Sequence, residues 1–309
     1  FGLMMLGVVV LIAGAVQLAA GILKWGQWFR AISPSVIHGM LAGIGVLIFA
    51  SQFHVMLDDA PLAGGLLNLA AIPDAVYKVF PMDGSVHHLA AMAGLVTILT
   101  IVLWNKFKPK ALALLPGPLL GVIAGTVFAL AFSLPITLVE LPSDLTAALN
   151  IPTGEALGGF LDPSIIGLGL VFAFVASAET LLCATAVDKM HTGARTNYDK
   201  ELRAQGIGNM ICGAVGALPM TGVIVRSSAN VEAGAVTRTS AILHGVWLLL
   251  AVAAFPFILN AIPTSVLAGI LVYTGYKLVN ITQIRKIAEF GKQELAIYFA
   301  TLIGVVAID

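Results

Sequence analysis

Long apolar runs recur along the chain, each closed by Pro, Gly or a cluster of charge. A helix needs roughly 20 apolar residues to cross the hydrocarbon core of a bilayer. Ten runs of about that kind are predicted, near residues 2–23, 34–53, 86–105, 114–135, 164–186, 203–217, 222–236, 239–258, 262–276 and 293–309. The sixth and seventh are too short to cross comfortably. They flank Gly216-Ala217-Leu218-Pro219-Met220-Thr221-Gly222, which predicts one broken segment rather than two full helices. The expected fold class is therefore an all-α polytopic membrane protein.

The polar positions between the runs carry the orientation. Lys24, Arg30, Lys106, Lys108, Lys110, Lys189, Arg195, Lys200, Arg203, Arg238, Lys277, Arg285, Lys286 and Lys292 fall on alternate loops. Basic residues concentrate on cytoplasmic loops, so these loops are predicted to face the cytoplasm. The opposite loops hold Asp58, Asp59, Asp74, Asp83, Glu140, Asp144, Glu155 and Asp162, with Lys78 as their single base. Only Arg226 is left over, inside the seventh run.

Composition adds exclusions. Of 309 residues, 59% are hydrophobic and 10% charged, against about 25% charged in an ordinary soluble domain. With a mean hydropathy of +0.99, a soluble globular protein is excluded. The net charge of +0 gives no footing for nucleic-acid binding. Cys183 and Cys212 both lie in apolar stretches, which speaks against a disulfide framework or a four-ligand zinc site. The chain begins at Phe1 inside one apolar run, ends at Asp309 inside another and carries no signal-peptide pattern, so a segment of a longer membrane protein is expected.

Ile32-Ser33-Pro34-Ser35-Val36, opening the second run, resembles Ile262-Pro263-Thr264-Ser265-Val266, opening the ninth. By the charge pattern the two copies enter from opposite sides. That is the mark of an inverted-topology repeat, in which a substrate site lies near the midplane between discontinuous helices.

Two ionisable residues lie within apolar runs, where charge is costly and usually functional. Glu179 sits midway along the fifth run. A carboxyl group at that depth either takes up a proton or compensates a cation, unless it serves only to hold a neighbouring broken helix. Arg226 follows the break. A half-helix starting near Gly222 would aim unpaired N–H groups and its positive dipole end into the midplane, a ready anion site to which Arg226 adds a permanent charge. Pairing of Arg226 with Glu179, contributing to assembly alone, is the competing reading.

Gly206-Ile207-Gly208 lacks the remainder of a dinucleotide fingerprint. Gly39-x-x-x-Gly43 and Gly121-x-x-x-Gly125 suit helix packing, and His38 and His244 read as polar anchors. No Ser/His/Asp, HExxH or CxxC arrangement is present, so an enzyme, a cofactor and a metal site are not expected.

Ala178-Glu179-Thr180-Leu181-Leu182-Cys183-Ala184 with Asp188-Lys189-Met190 resembles the eighth-helix motif of the SulP (sulfate permease) anion transporters. Asn197-Tyr198-Asp199-Lys200-Glu201-Leu202 and Gln205-Gly206-Ile207-Gly208-Asn209 are similar to that family's following loop and ninth helix. The stretch from Gly216 to Gly222, with Arg226 and Asn230, is similar to the start of its half-length tenth helix. Leu115-Pro116-Gly117-Pro118-Leu119-Leu120 and Val266-Leu267-Ala268-Gly269-Ile270 also fit.

The resemblance implies fourteen helices in two inverted seven-helix repeats, with a core and a gate domain. The ten runs would be helices four to thirteen, leaving out the first three helices, the last one and a cytoplasmic STAS domain. Core segments would be 1–33 and 161–260, the latter with the anion site, and gate segments 34–160 and 261–309. Carried over residue by residue, the substrate site falls on Glu179, Thr221, Gly222, Val223, Ile224, Val225 and Arg226.

Sodium-coupled members of the family pair an Asp with a hydroxyl residue one turn later. Here those positions are Glu179 and Cys183, and a thiol is a poor ligand for a hard cation, so a proton is the expected coupling ion. The resulting expectation is a secondary transporter of a small inorganic or carboxylate anion in the bacterial inner or plasma membrane, its partners being the anion, a proton and lipid, without nucleic acid. The resemblance also admits a homodimer. An anion exchanger or uncoupled conductor with Glu179 as fixed compensation is the alternative. A nucleobase–cation symporter ranks lower, because neutral bases need no cationic half-helix.

Overall fold

The computed structural model describes the chain except residues 1–2, 32, 81–83, 110–111, 113–114, 141–148, 189, 224–225, 228–229, 232–233 and 309. Eleven principal helices follow in order among the described residues: α1 (Leu3–Ile22), α2 (Pro34–Met56), α3 (Gly65–Val79), α4 (Val86–Phe107), α5 (Gly117–Ala131), α6 (Pro163–Asp188), α7 (Tyr198–Ala214), α8 (Thr239–Ala254), α9 (Thr264–Leu278), α10 (Ile281–Glu289) and α11 (Lys292–Ile308). Among the described residues, five stretches are long and apolar enough to cross a membrane: Met5–Ile22, Pro34–Met56, Val86–Phe107, Pro163–Thr185 and Thr264–Glu289. The predicted runs 114–135, 203–217, 239–258 and 293–309 carry the shorter helices α5, α7, α8 and α11. Between Gly222 and α8 the described residues 226–227 and 230–231 are helical.

Two helices were not anticipated from the apolar runs. Helix α3 is short and carries Asn68, Pro73, Asp74 and Lys78, and the polar α10 makes up the end of the Thr264–Glu289 stretch, beyond the predicted run 262–276. Each follows one apolar helix and leads into another, so the succession α2–α3–α4 is repeated as α9–α10–α11.

The chain divides into two compact units: Phe1–Ile32 with Pro142–Leu249, and Ser33–Leu141 with Leu250–Asp309.

In the first unit α1 lies antiparallel to α7, and a glycine ladder sets their separation. A Cβ on Gly14 would stand 2.6 Å from the Met210 nitrogen and 2.8 Å from the Gly206 oxygen, and one on Gly213 would stand 2.7 Å from the Gly7 oxygen. Gly21 meets the carbonyl of Asp199 in the same way. Hydrophobic burial does not favour helix over lipid within a membrane, so such backbone contact is what binds helices there. Helix α6 packs Ile165 and Phe172 against Val8, Val9 and Ile12 of α1. Its N-terminus is capped by Asp162, whose side chain accepts from the Ser164 N–H at 2.8 Å.

The second unit displays the repeat. Helices α2 and α9 both begin at the predicted Pro-Ser-type signature, with Ser33 and Pro263 as their N-caps. They run antiparallel: Met56, ending α2, packs with Ala268 and Val272 near the start of α9. They cross at Gly45 and Gly275, which occupy the same position in each helix. A Cβ on Gly45 would stand 2.8 Å from the Gly275 oxygen, and one on Gly275 would stand 2.6 Å from the Gly45 oxygen. The flanking contacts obey the same two-fold relation, with Gly39 of α2 on Tyr298 and Thr301 of α11, and Gly269 of α9 on Gly94 of α4. Gly43 likewise faces Val305 of α11, and Gly121 and Gly125 face Ile101 and Thr97 of α4.

Gly14→Val and Gly45→Val each push a side chain into a neighbouring backbone that has no room to yield, at a cost of about 1–3 kcal/mol. Thermal melting of the detergent-solubilised protein is expected to fall by several degrees for both. Gly167→Ala, where nothing lies within 4 Å of the added carbon, leaves it unchanged or slightly raised.

Candidate functional site

The break follows from the way α7 ends. Gly216 adopts a left-handed conformation (φ 70°), and the Ala217 N–H donates to the Cys212 carbonyl at 2.8 Å. This closes the helix with the glycine-dependent bond pattern common at C-termini. A Cβ at Gly216 would also run into the Asn150 backbone. Pro219 follows, without an N–H to donate, so the chain passes through Met220, Thr221 and Gly222 without regular structure.

Backbone groups there cannot rely on water, and unsatisfied ones cost several kcal/mol in a membrane interior. Side chains of α6 and α7 satisfy them. The Met220 N–H donates to Asn209 Oδ1 at 2.7 Å, and Asn209 Nδ2 donates back to the Met220 carbonyl at 3.2 Å. The Gly222 N–H donates to Thr180 Oγ1 at 2.9 Å. Gln205 Nε2 donates to Thr180 Oγ1 at 2.7 Å and to the Ala176 carbonyl at 2.9 Å. Asn209 Nδ2 also donates to Gln17 Oε1 at 2.8 Å, tying in α1. Asn209, Gln205, Gln17 and Thr180 are all at least nine-tenths buried.

Glu179, next to Thr180, is half-buried. Its Oε2 accepts from the Thr221 hydroxyl at 3.0 Å. This contact joins the middle of α6 to the break. Beyond Thr221 the Ser227 N–H donates to the Val223 carbonyl at 3.1 Å, one helical turn. A cavity of about 540 Å³ opens at that turn, lined by Thr221, Gly222, Val223, Arg226, Ser227, Asn230, Ser240, Ala241 and His244. Arg226 is exposed within it, and among the described residues no ion pair or hydrogen bond joins it to Glu179. Asn230 and Ser240 are hydrogen-bonded to each other across the cavity wall.

Of the residues expected at the site, Glu179 and Thr221 are brought into contact, and Thr221, Gly222, Val223 and Arg226 share the cavity. Glu179 itself does not line it. Ile224 and Val225 lie outside the described residues. Cys183, one turn after Glu179, is buried and points its thiol to the Ser227 hydroxyl at 3.6 Å. His244, read as a polar anchor, instead faces the cavity. Reasoning from charged residues missed the structural roles of Gln17, Thr180, Gln205 and Asn209. Their signal was present as uncharged polar residues inside apolar runs.

Comparison with known proteins identifies the family and the fold. The profile described as "Sulfate permease family" matches residues 2–301. A bicarbonate transporter, BicA of Synechocystis sp., is 27% identical over 100% of this chain and 53% of its own length. A putative sulfate transporter of Bacillus subtilis, YvdB, is also 27% identical, over 100% of this chain and 57% of its own. The chain thus spans about half the length of the curated relatives it matches. The solved transmembrane domain of a cyanobacterial BicA superposes with a TM-score of 0.83 at 25% identity, covering 99% of this chain and 76% of that one. SLC26A9 shares the fold, with a TM-score of 0.79 at 16% identity over 97% of this chain and 47% of its own. The architecture is that of a 7+7 inverted-repeat membrane domain, and the chain is a multi-pass integral membrane protein that belongs to the sulfate permease family of anion transporters.

Proposed function

We propose that the protein is a secondary active transporter of a small anion of the sulfate, bicarbonate or dicarboxylate type, coupled to protons through Glu179. The observation that carries this reading is the contact between Glu179 and Thr221 at the lip of the cavity that holds Arg226. An anion in that cavity would meet the Arg226 guanidinium, hydroxyls of Thr221 and Ser227, and backbone of Thr221, Gly222 and Val223. The Glu179 carboxylate beside it would repel the anion unless protonated. Loading of anion and proton would therefore favour one another, which is the thermodynamic requirement for symport. The names of the bicarbonate and sulfate transporters among the relatives support the anion class.

Segments 1–33 and 161–260 would form the core that carries the site, and segments 34–160 and 261–309 the gate. The division into two compact units supports this assignment. Alternating access would arise from an elevator-like displacement of core against gate. The protein would work as a carrier without chemical turnover of its substrate, as the transporter names of its relatives suggest.

A second reading is anion exchange or uncoupled conduction with Glu179 as a fixed charge. The hydrogen bond from the Thr221 hydroxyl, which can hold the Glu179 side chain in place as a structural group, favours it. The two readings separate in proteoliposomes containing the complete protein. Under symport, uptake of labelled anion rises with an inward proton gradient, and Glu179→Gln abolishes that response while leaving counterflow at equal pH measurable. Under exchange, flux follows the counter-anion gradient in wild type and variant alike. Arg226→Ala removes a charged donor worth about 1.5–3 kcal/mol and is expected to weaken anion affinity at least tenfold in a binding titration.

A further inference from the structure

A second cavity, of about 260 Å³, lies on the other side of the break and shares Gly222 and Ser227 with the first. Its inner end is formed by Thr180 and Gly222, the chain neighbours of Glu179 and Thr221. Its other end reaches Asp188, His191, Thr196 and Glu201, in the loop and first helical turn that the basic residues assign to the cytoplasmic side. The cavity therefore runs from the cytoplasmic end of this unit to Thr180 and Cys183, which follow Glu179 on α6, without being lined by Glu179 itself.

Its titratable side chains are not equivalent. Asp188 is engaged as a cap: its carboxylate accepts from the Thr196 N–H at 3.0 Å and from the Thr196 hydroxyl at 2.9 Å. His191 Nδ1 accepts from the Gly193 N–H at 3.0 Å, and its Nε2 stands 3.8 Å from Asp188. Cys183 is turned to Ser227. Glu201 alone among them has a half-buried carboxyl group with no hydrogen bond or ion pair among the described residues.

From this placement we infer that Glu201 is the proton-loading residue on the cytoplasmic side, exchanging a proton between the cytoplasm and Glu179 through the second cavity. The inference rests on the proton-coupled reading of Glu179. Glu201 lies in the polar first turn of α7, ahead of the apolar run. Burial raises its carboxyl above the ordinary range, Arg238 opposes this without forming an ion pair, and the charge of Asp188 adds to the rise. The other titratable groups lining the cavity with it are Cys183 and Asp188 from α6, and His191 from the following loop. A carboxyl group so balanced can take up and release a proton nearer neutral pH than a solvated one. In the transfer the proton leaves a Glu201 carboxyl oxygen, passes through water in the cavity and is received by the Glu179 carboxylate. Glu201, left as carboxylate, is reprotonated from the cytoplasm.

The test uses the complete protein in proteoliposomes, with labelled sulfate, bicarbonate and succinate as probes. For the probe that wild type counterflows, Glu201→Gln is expected to keep counterflow at equal pH within about twofold of wild type. It should lose at least fivefold of the acceleration given by a proton gradient, and Glu201→Asp should restore most of it. Equal losses in counterflow and gradient-driven uptake would mark Glu201 as structural and overturn the inference, as would a Glu201→Gln variant with intact coupling. Glu179→Gln in the same assay keeps the two claims apart. If it uncouples while Glu201→Gln does not, only the loading role fails. If it leaves coupling intact, the proton-coupled reading itself fails.

Discussion

A peptide segment without regular structure in the interior of a membrane protein has to find hydrogen-bond partners within the protein, and this constraint organises the unit that carries the site. The stretch from Met220 to Gly222 interrupts the helical ladder where water is scarce. Asn209 supplies both a donor and an acceptor to Met220, and Thr180 accepts from Gly222 while Gln205 holds Thr180 in place. Because Asn209 and Gln205 project from α7 and Thr180 from α6, the break is fixed to two helices at once. Gln17 extends the same network to α1. The polar groups that keep the break from being an energetic liability thus also set the position of Thr221 and of the turn bearing Arg226.

Such a network requires helices that do not drift. Glycine contact supplies the rigidity, since Gly7, Gly14 and Gly21 bring the backbone of α1 against α7. The second unit uses the same device at a different point, where Gly45 and Gly275 meet at equivalent positions of two antiparallel helices. A pseudo-two-fold relation needs its crossing residues to be small on both sides, so the pair carries the inverted repeat in its simplest form. With fixed interhelical distances, a carboxyl group on α6 and a hydroxyl at the break hold hydrogen-bond distance without an ion pair between Glu179 and Arg226. Arg226 remains available to the cavity.

Much of this was legible in the sequence because charge is rare in apolar runs. Glu179 and Arg226 stood out for that reason, and Gly216 with Pro219 announced the break through the conformations they permit and forbid. The Pro-Ser signatures before α2 and α9 pointed to the repeat. What escaped notice depended on contacts between residues distant in sequence: Asn209 reads as one polar residue in an apolar run until Met220 is placed against it. Helices α3 and α10 were missed because they are short and carry polar residues, and the cavity-facing place of His244 depends on how α8 lies beside the break. The second cavity, with Glu201 at its far end, is likewise a property of assembly.

The central claim is that anion and proton occupy neighbouring positions and favour each other's binding. It is tested most directly by adding a transported anion to the complete protein in weakly buffered detergent solution and measuring proton uptake. The account predicts a net uptake of about one proton per anion bound in the wild type, and none in Glu179→Gln. Anion binding without proton uptake in the wild type, or with the same uptake in Glu179→Gln, would contradict it.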